Sequence, residues 1–319
     1  MSLPIKEHPS FTIKDASKIS IYQECARKYF MRHMLGWELD TPNIHLVFGK
    51  AVHKAMEIVI TAQGRGIKTQ QEALQIIIKA EEVFNDIYRK DFPEETDQQY
   101  YPKVPGRLPD LIAEYLKYYR EDEIEERVLY TEIAGTVPIT NNSVAHFRID
   151  AIRENDLEGV YVLEHKTGSK QGRQFEDQFY LKTQIGMYTH VLYALFPQDK
   201  VYGVKINGLI FLKGKTEFVR IPIRKQPADM EMWLWETQQW VKEIEDDTQR
   251  LSECTDKDYV LKAFKRNPEN CVKWFGCPYL EFCKARNNPL VNVIPPPGFK
   301  QEWWDPRDEE SSANKIINL

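Results

Sequence analysis

Two acidic residues and a lysine lie close together in a part of the sequence whose pattern is typical of β-strands. Asp150 falls in one predicted strand, and Glu164 and Lys166 fall in the next. Because side chains alternate faces along a strand, Glu164 and Lys166 should project to the same side, roughly 6.6 Å apart. We predict that Asp150 ends its strand and that strand pairing brings it beside the other two.

The two acids have the side chains needed to hold a divalent cation. Two carboxylates a few ångströms apart repel each other, and Mg²⁺ or Mn²⁺, which bind oxygen ligands, relieve that repulsion. The neighbouring lysine could orient a water molecule and stabilise charge that develops on a phosphate. The alternative is a surface acid beside an ordinary Glu–Lys pair, which would do no chemistry.

Cysteines form a second group that could bind metal. Cys271, Cys277 and Cys283 lie within thirteen positions, whereas Cys25 and Cys254 lie apart from them. In a reducing compartment, clustered thiols indicate metal more often than disulfides. Four thiolates suit either a 4Fe–4S cluster or a tetrahedral Zn²⁺, and buried thiols without metal are the third possibility.

Length and composition indicate a folded chain that has no overall positive charge to attract polyanions. The 319 residues are 42% hydrophobic, which is enough for a substantial core. The net charge is -5, so any site for a polyanion must be local. No apolar run approaches the roughly 18 residues of a membrane span, and the first ten residues lack the apolar run of a signal peptide. We therefore expect a cytoplasmic protein with no membrane partner.

Hydrophobic periodicity changes along the chain from helical to strand-like and back. Capping boxes predict helix starts at Ser20, with Gln23, and at Thr69, with Glu72. The predicted helices cover residues 20–33, 50–62, from 69 onward, 108–125, 175–196 and 229–250, and the predicted strands cover 130–139, 144–152, 159–165, 201–212 and 216–223. This order predicts an α/β fold in which a core of helix, three strands, helix and strand carries a helical elaboration.

The order of Asp150, Glu164 and Lys166 resembles the active-site motif of the PD-(D/E)xK nuclease superfamily. Two further features resemble its RecB-like exonuclease branch. The segment that ends at His53 is similar to the opening helix of that branch, and Glu132 lies on the first strand, where the family often has an acid. We therefore expect a restriction-endonuclease-like core.

This resemblance implies roles for five residues. Asp150, Glu164 and His53 would bind the catalytic metal together with the backbone carbonyl of His165, and Lys166 would lie beside the attacking water. A histidine ligand makes Mn²⁺ an alternative to Mg²⁺. If no metal binds, His53 is a helix histidine packed against the core.

A motif of glutamine, three residues and tyrosine follows the third strand. Gln184 and Tyr188 lie one helical turn apart. The resemblance implies that they hold a DNA phosphate or brace the active site; a core tyrosine and a capping amide are the alternative. The sequence departs from the family at Phe147 and Arg148, just before Asp150, which should alter strand packing more than metal binding.

Both ends of the chain resemble the members of this branch that hold an iron–sulfur cluster. The similar segments are the N-terminal helix around Cys25 and the C-terminal segment from Phe275 to Cys283. The resemblance implies a 4Fe–4S cluster that joins the N- and C-terminal segments. Its ligands would be Cys25, Cys271, Cys277 and Cys283. Both gaps between the C-terminal cysteines are five residues long, which departs from these relatives and requires a longer loop. Zn²⁺ is the alternative metal.

The resemblance spans about residues 17–286 and suggests a division of the chain. We expect an N-terminal helical segment with the first cluster cysteine, a nuclease core with a helical insertion, C-terminal helices with the other cluster cysteines, and a tail. Their boundaries are 1–46, 47–225 with the insertion at about 64–126, 226–290 and 291–319.

Together these features predict a metal-dependent DNA exonuclease of recombination, replication or DNA processing, similar to CRISPR-associated and phage-type stand-alone members. Its setting would be a bacterial, archaeal or phage-infected cell, and its substrates single-stranded DNA or duplex ends. The sequence has no phosphate loop with Gly-Lys-Ser/Thr, so a helicase or recombination partner would open strands. One alternative is a noncatalytic DNA-binding or scaffold module that keeps the fold. The other is an RNA-directed nuclease, because nothing in the sequence distinguishes RNA from DNA by its 2′-hydroxyl.

Overall fold

The computed structural model describes residues 2–120, 126–170, 172–273, 276–310 and 313–319, which form a mixed α/β structure. None of the helices in these residues combines the length and apolar character needed to cross a membrane. The α-helices, in chain order, are α1 (Ala16–Glu24), α2 (Ala26–Tyr29), α3 (Ile44–Arg65), α4 (Gln70–Tyr88), α5 (Asp97–Tyr100), α6 (Leu108–Tyr118), α7 (Arg173–Asp177), α8 (Thr183–Leu195), α9 (Pro227–Leu251), α10 (Leu280–Ala285) and α11 (Pro306–Glu310).

The strands divide between a large mixed sheet and a small ribbon. They are β1 (Trp37–Leu39), β2 (Glu126–Thr140), β3 (Ser143–Asn155), β4 (Gly159–Gly168), β5 (Val201–Phe211), β6 (Thr216–Ile223), β7 (Phe299–Gln301) and β8 (Lys315–Asn318). The large sheet has the order β6-β5-β4-β3-β2-β8, and β1 pairs with β7. Within the large sheet, β4 and β5 are parallel, while β3 with β4 and β5 with β6 are antiparallel.

The register between β3 and β4 decides where the predicted acids lie. The ladder ends with Ala151 opposite Leu163. Asp150 and Glu164 are the next residues in this register, so the two carboxylates lie where the two strands part. Strand geometry therefore brings these residues together across 14 positions of sequence.

The chain divides into two compact units. One consists of residues 42–135, 148–227 and 312–319, and it contains the candidate active site. The other consists of residues 1–41, 136–147 and 228–311, and it contains all five cysteines. Strands β2 and β3 contribute residues to both units.

In the first unit, α3 packs on the sheet through buried aromatic rings. The Phe48 ring lies 4.8 Å from that of Phe211 and 5.6 Å from that of Phe84, in both cases edge to face. Burying one such side chain contributes about 1.5–3 kcal/mol to folding. These contacts fix α3 relative to β5 and so position His53, which lies farther along the same helix.

In the second unit, the N-terminal helices bind the C-terminal segments. The hydroxyl of Tyr22 donates to Asp247 Oδ2 at 2.6 Å. The buried guanidinium of Arg27 donates to the carbonyls of Phe264 at 3.0 Å and Leu261 at 3.3 Å. The expected meeting of the two chain ends therefore occurs within this unit.

Two helices differ from the sequence-based prediction. Helix α1 begins before Ser20, because the carboxylate of Asp15 accepts the Lys18 N–H at 2.6 Å and caps the helix. The single helix predicted over 175–196 is two helices, α7 and α8, and Lys182 is extended just before the second.

Other predicted boundaries are shifted or fall outside the described residues. Asp150 does not end its strand as predicted, because β3 continues to Asn155. The helix predicted over 108–125 ends at Tyr118, and residues 121–125 lie outside the described residues. The capping box of Thr69 and Glu72 is present as predicted.

Candidate active site

Glu164 and Lys166 extend from the same face of β4 and contact each other. The Lys166 ammonium donates to Glu164 Oε1 at 2.7 Å. Only 2% of Glu164 is exposed, whereas 26% of the Lys166 side chain is exposed. The lysine therefore lies between a buried carboxylate and solvent.

Asp150 lies between α3 and β4. Its Oδ1 is 3.1 Å from His53 Nδ1, and its Oδ2 accepts the backbone N–H of His165 at 2.8 Å. The Asp150 carboxylate is thus oriented from two sides. The predicted ligands His53 and Asp150 lie within hydrogen-bond distance of each other.

Helix α8 adds Gln184 and Tyr188 to the site. The Gln184 side chain accepts from Lys166 at 3.0 Å and donates to Glu164 Oε1 at 3.2 Å. It also donates to the Tyr188 hydroxyl at 2.8 Å, and that hydroxyl donates to the Arg148 carbonyl at 2.8 Å. These contacts join α8 to β3 and β4, so the two residues support the carboxylate and the ammonium.

Arg148 and Glu132 form a buried ion pair beside the site. Arg148 Nε donates to Glu132 Oε2 at 2.8 Å, and Nη2 donates to the same oxygen. Burial raises the pKa of Glu132 to about 7; the nearby Asp150 raises it as well, while Arg148 opposes the shift. Arg148, where the sequence departs from the family, therefore pairs with an acid on β2.

The His165 imidazole is buried in the interior beside the site. Its Nδ1 lies 2.8 Å from Asn207 Nδ2 in the interior. Burial lowers the pKa of His165 to about 3, so the ring is neutral. Its backbone N–H donates to Asp150 Oδ2, and its ring lies edge to face with the His53 ring, with 6.0 Å between the centroids.

Burial and neighbouring charges give the two central acids different pKa values. Burial raises the pKa of Glu164, the charge of Asp150 raises it further, and Lys166 opposes both. Burial would also raise the pKa of Asp150, but His53 outweighs it and holds that pKa well below its usual range. A cation between the two carboxylates would favour the charged form of both.

Lys166 remains a cation in this environment. Burial would lower its pKa, but the charge of Glu164 and their hydrogen bond raise it above the usual value. The same holds for His53, where burial is outweighed by Asp150 and the pKa is raised. The site therefore supplies positive charge from Lys166 at neutral pH.

The donor atoms fit a hard divalent cation. Glu164 Oε2 is buried and accepts no hydrogen bond from the described residues. A buried oxygen in that state carries a desolvation cost, which a bound cation would remove. No group of three or more His, Cys, Asp or Glu side chains in the described part of the chain is arranged to hold a metal ion. The donor chemistry fits Mg²⁺ or Mn²⁺, but the side chains do not surround one point.

The four predicted cluster cysteines lie near one another in the other unit. Burial raises the pKa of Cys277, and the nearby thiols of Cys25 and Cys271 raise it further. Burial raises the pKa of Cys283 to about 11, with smaller contributions from Cys277 and Cys25. All four are free and partly buried, whereas Cys254 is fully buried and donates to the Arg250 carbonyl.

The cysteine loop is held by backbone and amide groups. The Asn267 N–H lies 3.3 Å from Cys25 Sγ, and the Cys277 N–H donates to the Cys271 carbonyl at 2.8 Å. Phe275, part of the predicted motif, lies outside the described residues. The four thiols lie in the same unit, but no three of them in the described residues are arranged to hold a metal ion.

Sequence reasoning misses two lysines near the site. Lys54, one residue after His53, is 2.8 Å from Glu57 and 4.0 Å from a Glu132 oxygen. Burial lowers the pKa of Lys182, and the charge of Lys166 lowers it further, so the two ammonium groups are neighbours. The sequence does contain a signal for both, since Lys54 follows His53 directly and Lys182 lies two residues before Gln184.

The mixed sheet and α3 bring two acids, a histidine and a lysine together where two strands part. A sequence model of the PD-(D/E)XK nuclease superfamily matches residues 16–284, which is most of the chain. The protein therefore belongs to the PD-(D/E)XK nuclease superfamily, whose members typically use Mg²⁺ or Mn²⁺. The matched span includes the candidate active site and the four cysteines.

Comparison with other proteins adds distant structural matches. A crystal structure of a provisionally assigned exonuclease from Eubacterium rectale is 15% identical, covers 78% of this chain and 87% of its own, and has a TM-score of 0.41. The crystal structure of SSO0001 is 14% identical, covers 74% of this chain and 95% of its own, and has a TM-score of 0.28. No curated protein matches the sequence.

Proposed function

We propose that this member of the superfamily is a metal-dependent nuclease that hydrolyses DNA from an end, with His53, Asp150 and Glu164 as metal ligands. The observation that carries the proposal is the unpartnered, buried Glu164 Oε2 beside Asp150. A noncatalytic module has no use for a buried Glu164 carboxylate that lies beside the partly buried Asp150 and 2.7 Å from a lysine. The choice of DNA and of an end rests on the resemblance to the RecB-like branch.

The chain's own residues would divide the work of hydrolysis. A bound Mg²⁺ or Mn²⁺ supplies a Lewis acid that polarises the phosphodiester and lowers the pKa of a water molecule. Lys166 would contact the phosphate and stabilise the charge that develops on it. Gln184 holds that ammonium at 3.0 Å. Tyr188, anchored to the Arg148 carbonyl, would keep Gln184 in place.

Cleavage of end-labelled substrates tests this function. The full-length protein is incubated with 5′- or 3′-labelled single-stranded DNA, duplex DNA and RNA of the same sequence, and with circular single-stranded DNA. Each reaction contains Mn²⁺, Mg²⁺ or EDTA. We expect release of short labelled products from linear DNA with metal, no release in EDTA, and an intact circle.

The other outcomes separate the alternatives. Bound but intact DNA under every metal condition would make the protein a noncatalytic binding module. Cleavage of the circle would make it an endonuclease, and faster cleavage of RNA would make it an RNA-directed enzyme. If only unwound or single-stranded ends are cut, a helicase or recombination partner must prepare the duplex.

His53→Ala separates a metal ligand from a packed histidine. Because the imidazole lies 3.1 Å from Asp150 Oδ1, we expect its loss to weaken Mn²⁺ affinity by about tenfold or more. The half-saturating Mn²⁺ concentration and the melting temperature are measured on the same preparation. A large fall in melting temperature with an unchanged Mn²⁺ requirement would assign His53 a packing role.

We further propose that Cys25, Cys271, Cys277 and Cys283 bind a 4Fe–4S cluster, with Zn²⁺ as the competing metal. The support is that all four thiols are partly buried and that Cys25 and its neighbours lie near enough to raise the pKa of Cys277 and Cys283. Burial raises the pKa of the Cys277 and Cys283 thiols, and a bound metal would favour the thiolate forms of all four. A cluster here would organise the fold and would not catalyse cleavage.

Cys25→Ser tests the cluster. A cross-link between the chain ends removes entropy from the unfolded state, so we expect a loss of several kcal/mol of stability and of the bound metal. Iron, sulfide and zinc are assayed on anaerobically purified protein, together with thermal unfolding. Cys254→Ser is the matched control and should be mild. Metal-free wild-type protein that tolerates Cys25→Ser would leave four ordinary thiols.

A further inference from the structure

Glu132 has a backbone conformation that is uncommon for its residue type. Its φ is +46°, in the left-handed region that disfavours residues with a Cβ atom. Along β2 the alternation of burial is lost at this point, because residues 132–135 are all buried. These features are typical of a bulge, which re-aims a side chain and persists only where surrounding contacts hold it.

The last strand of the chain supplies such contacts. The Asn314 backbone N–H donates to the Glu132 carbonyl at 2.8 Å. The Asn314 side chain donates to Thr131 Oγ1 at 3.0 Å and reaches Glu57 Oε1 at 3.5 Å. Immediately afterwards, β8 pairs with β2 as the edge strand of the sheet.

A glycine in β2 allows this strand to approach. A Cβ atom at Gly135 would lie 1.5 Å from the Ile317 carbonyl oxygen, so no other residue permits the same contact. The β2 edge is therefore shaped to receive residues 314–318 at the point where Glu132 bulges.

Glu132 connects this edge to the candidate active site. Its carboxylate binds the Arg148 guanidinium, and the Arg148 carbonyl accepts the Tyr188 hydroxyl at 2.8 Å. Tyr188 accepts from Gln184, which accepts from Lys166 at 3.0 Å. A continuous set of hydrogen bonds thus runs from the C-terminal strand to the lysine beside Glu164.

We propose that the C-terminal strand is a positioning element of the active site, in which the Asn314 backbone N–H fixes the Glu132 bulge and thereby Arg148 and the strand that carries Asp150. This inference rests on the proposed nuclease function. Asn314 lies beyond residues 16–284, the span shared with the superfamily. It would contact neither metal nor DNA and would act only through Glu132.

A pair of substitutions at Asn314 isolates the backbone bond. Asn314→Pro removes the N–H that the Glu132 carbonyl accepts, whereas Asn314→Ala keeps it and removes only the side-chain contacts. We expect Asn314→Pro to lower kcat roughly tenfold, which corresponds to about 1.4 kcal/mol. The KM for DNA should be unchanged, and Asn314→Ala should retain most of the kcat.

Hydrogen exchange of residues 130–136 gives a readout independent of catalysis. Exchange in this segment should rise in Asn314→Pro and stay near wild type in Asn314→Ala. Unchanged exchange, or raised exchange with wild-type kcat, would overturn the proposal. An equal loss of kcat in both variants would also overturn it, since the backbone bond would then not be the cause.

A second variant and the activity of the wild-type protein distinguish a failure of this proposal from a folding defect and from a failure of the proposed function. If Asn314→Pro does not fold, Gly135→Ala displaces β8 from the other side and is judged by the same two measurements. An inactive wild-type protein would count against the nuclease function. An active wild-type protein with an unaffected Asn314→Pro variant would count against the positioning role alone.

Discussion

Asp150→Asn should abolish DNA cleavage, with a loss in kcat on the order of 10³-fold or more. The amide keeps the shape of the side chain but carries no charge, so a cation would lose one of its two carboxylates. The substitution would also remove the charge that raises the pKa of His53. Initial rates on end-labelled DNA in saturating Mn²⁺ measure the loss.

A matched control is available on a surface helix. Asp246 pairs with Lys242 at 2.6 Å on the exposed face of α9. Asp246→Asn makes the same chemical change and should leave kcat near the wild-type value, because exposed pairs contribute little. Near-wild-type hydrolysis by folded Asp150→Asn would remove the proposed site.

Lys166→Met should lower kcat by roughly 10²-fold or more, which is the usual effect of removing one group that stabilises transition-state charge. Methionine keeps much of the length and apolar volume of the side chain and removes the ammonium. Since Lys166 is one of several cations that DNA phosphates can contact, the KM for DNA should change far less than kcat. Steady-state kinetics on single-stranded DNA separate the two.

Lys242→Met is the control for this change. The Lys242 side chain is two-thirds exposed, and the residue belongs to the unit that does not contain the candidate active site. A raised KM with unchanged kcat for Lys166→Met would make the lysine a DNA-binding residue and not a catalytic one.

Local signals explain which parts of the fold the sequence predicts. Thr69 and Glu72 form their capping box because both partners lie within one turn. The strand β6 runs over Thr216–Ile223 as predicted, since its ends are marked by turn residues and a change of period. The convergence of Glu164 with Lys166 follows from strand alternation alone.

Nonlocal contacts explain what the sequence does not predict. The left-handed Glu132 depends on Asn314, which is 182 positions away, and no local pattern indicates that partner. Ser20 with Gln23 predicts a start for α1 that is later than the observed one at Ala16, because Ser20 is as good a local cap as Asp15. Asp150 is predicted at the end of its strand. In the structure β3 runs from Ser143 to Asn155, so Asp150 lies inside the strand, and it is the pairing with β4 that ends at Ala151, the next residue.

Binding of one divalent cation by His53, Asp150 and Glu164 is the central claim, and anomalous diffraction from crystals grown with Mn²⁺ tests it most directly. We predict one anomalous peak within about 2.5 Å of an oxygen of Asp150 and an oxygen of Glu164, absent after treatment with EDTA and absent in Asp150→Asn. The formerly unpartnered Glu164 Oε2 should be one of those oxygens. A Mn²⁺-containing crystal with no peak between Asp150 and Glu164 would contradict the claim.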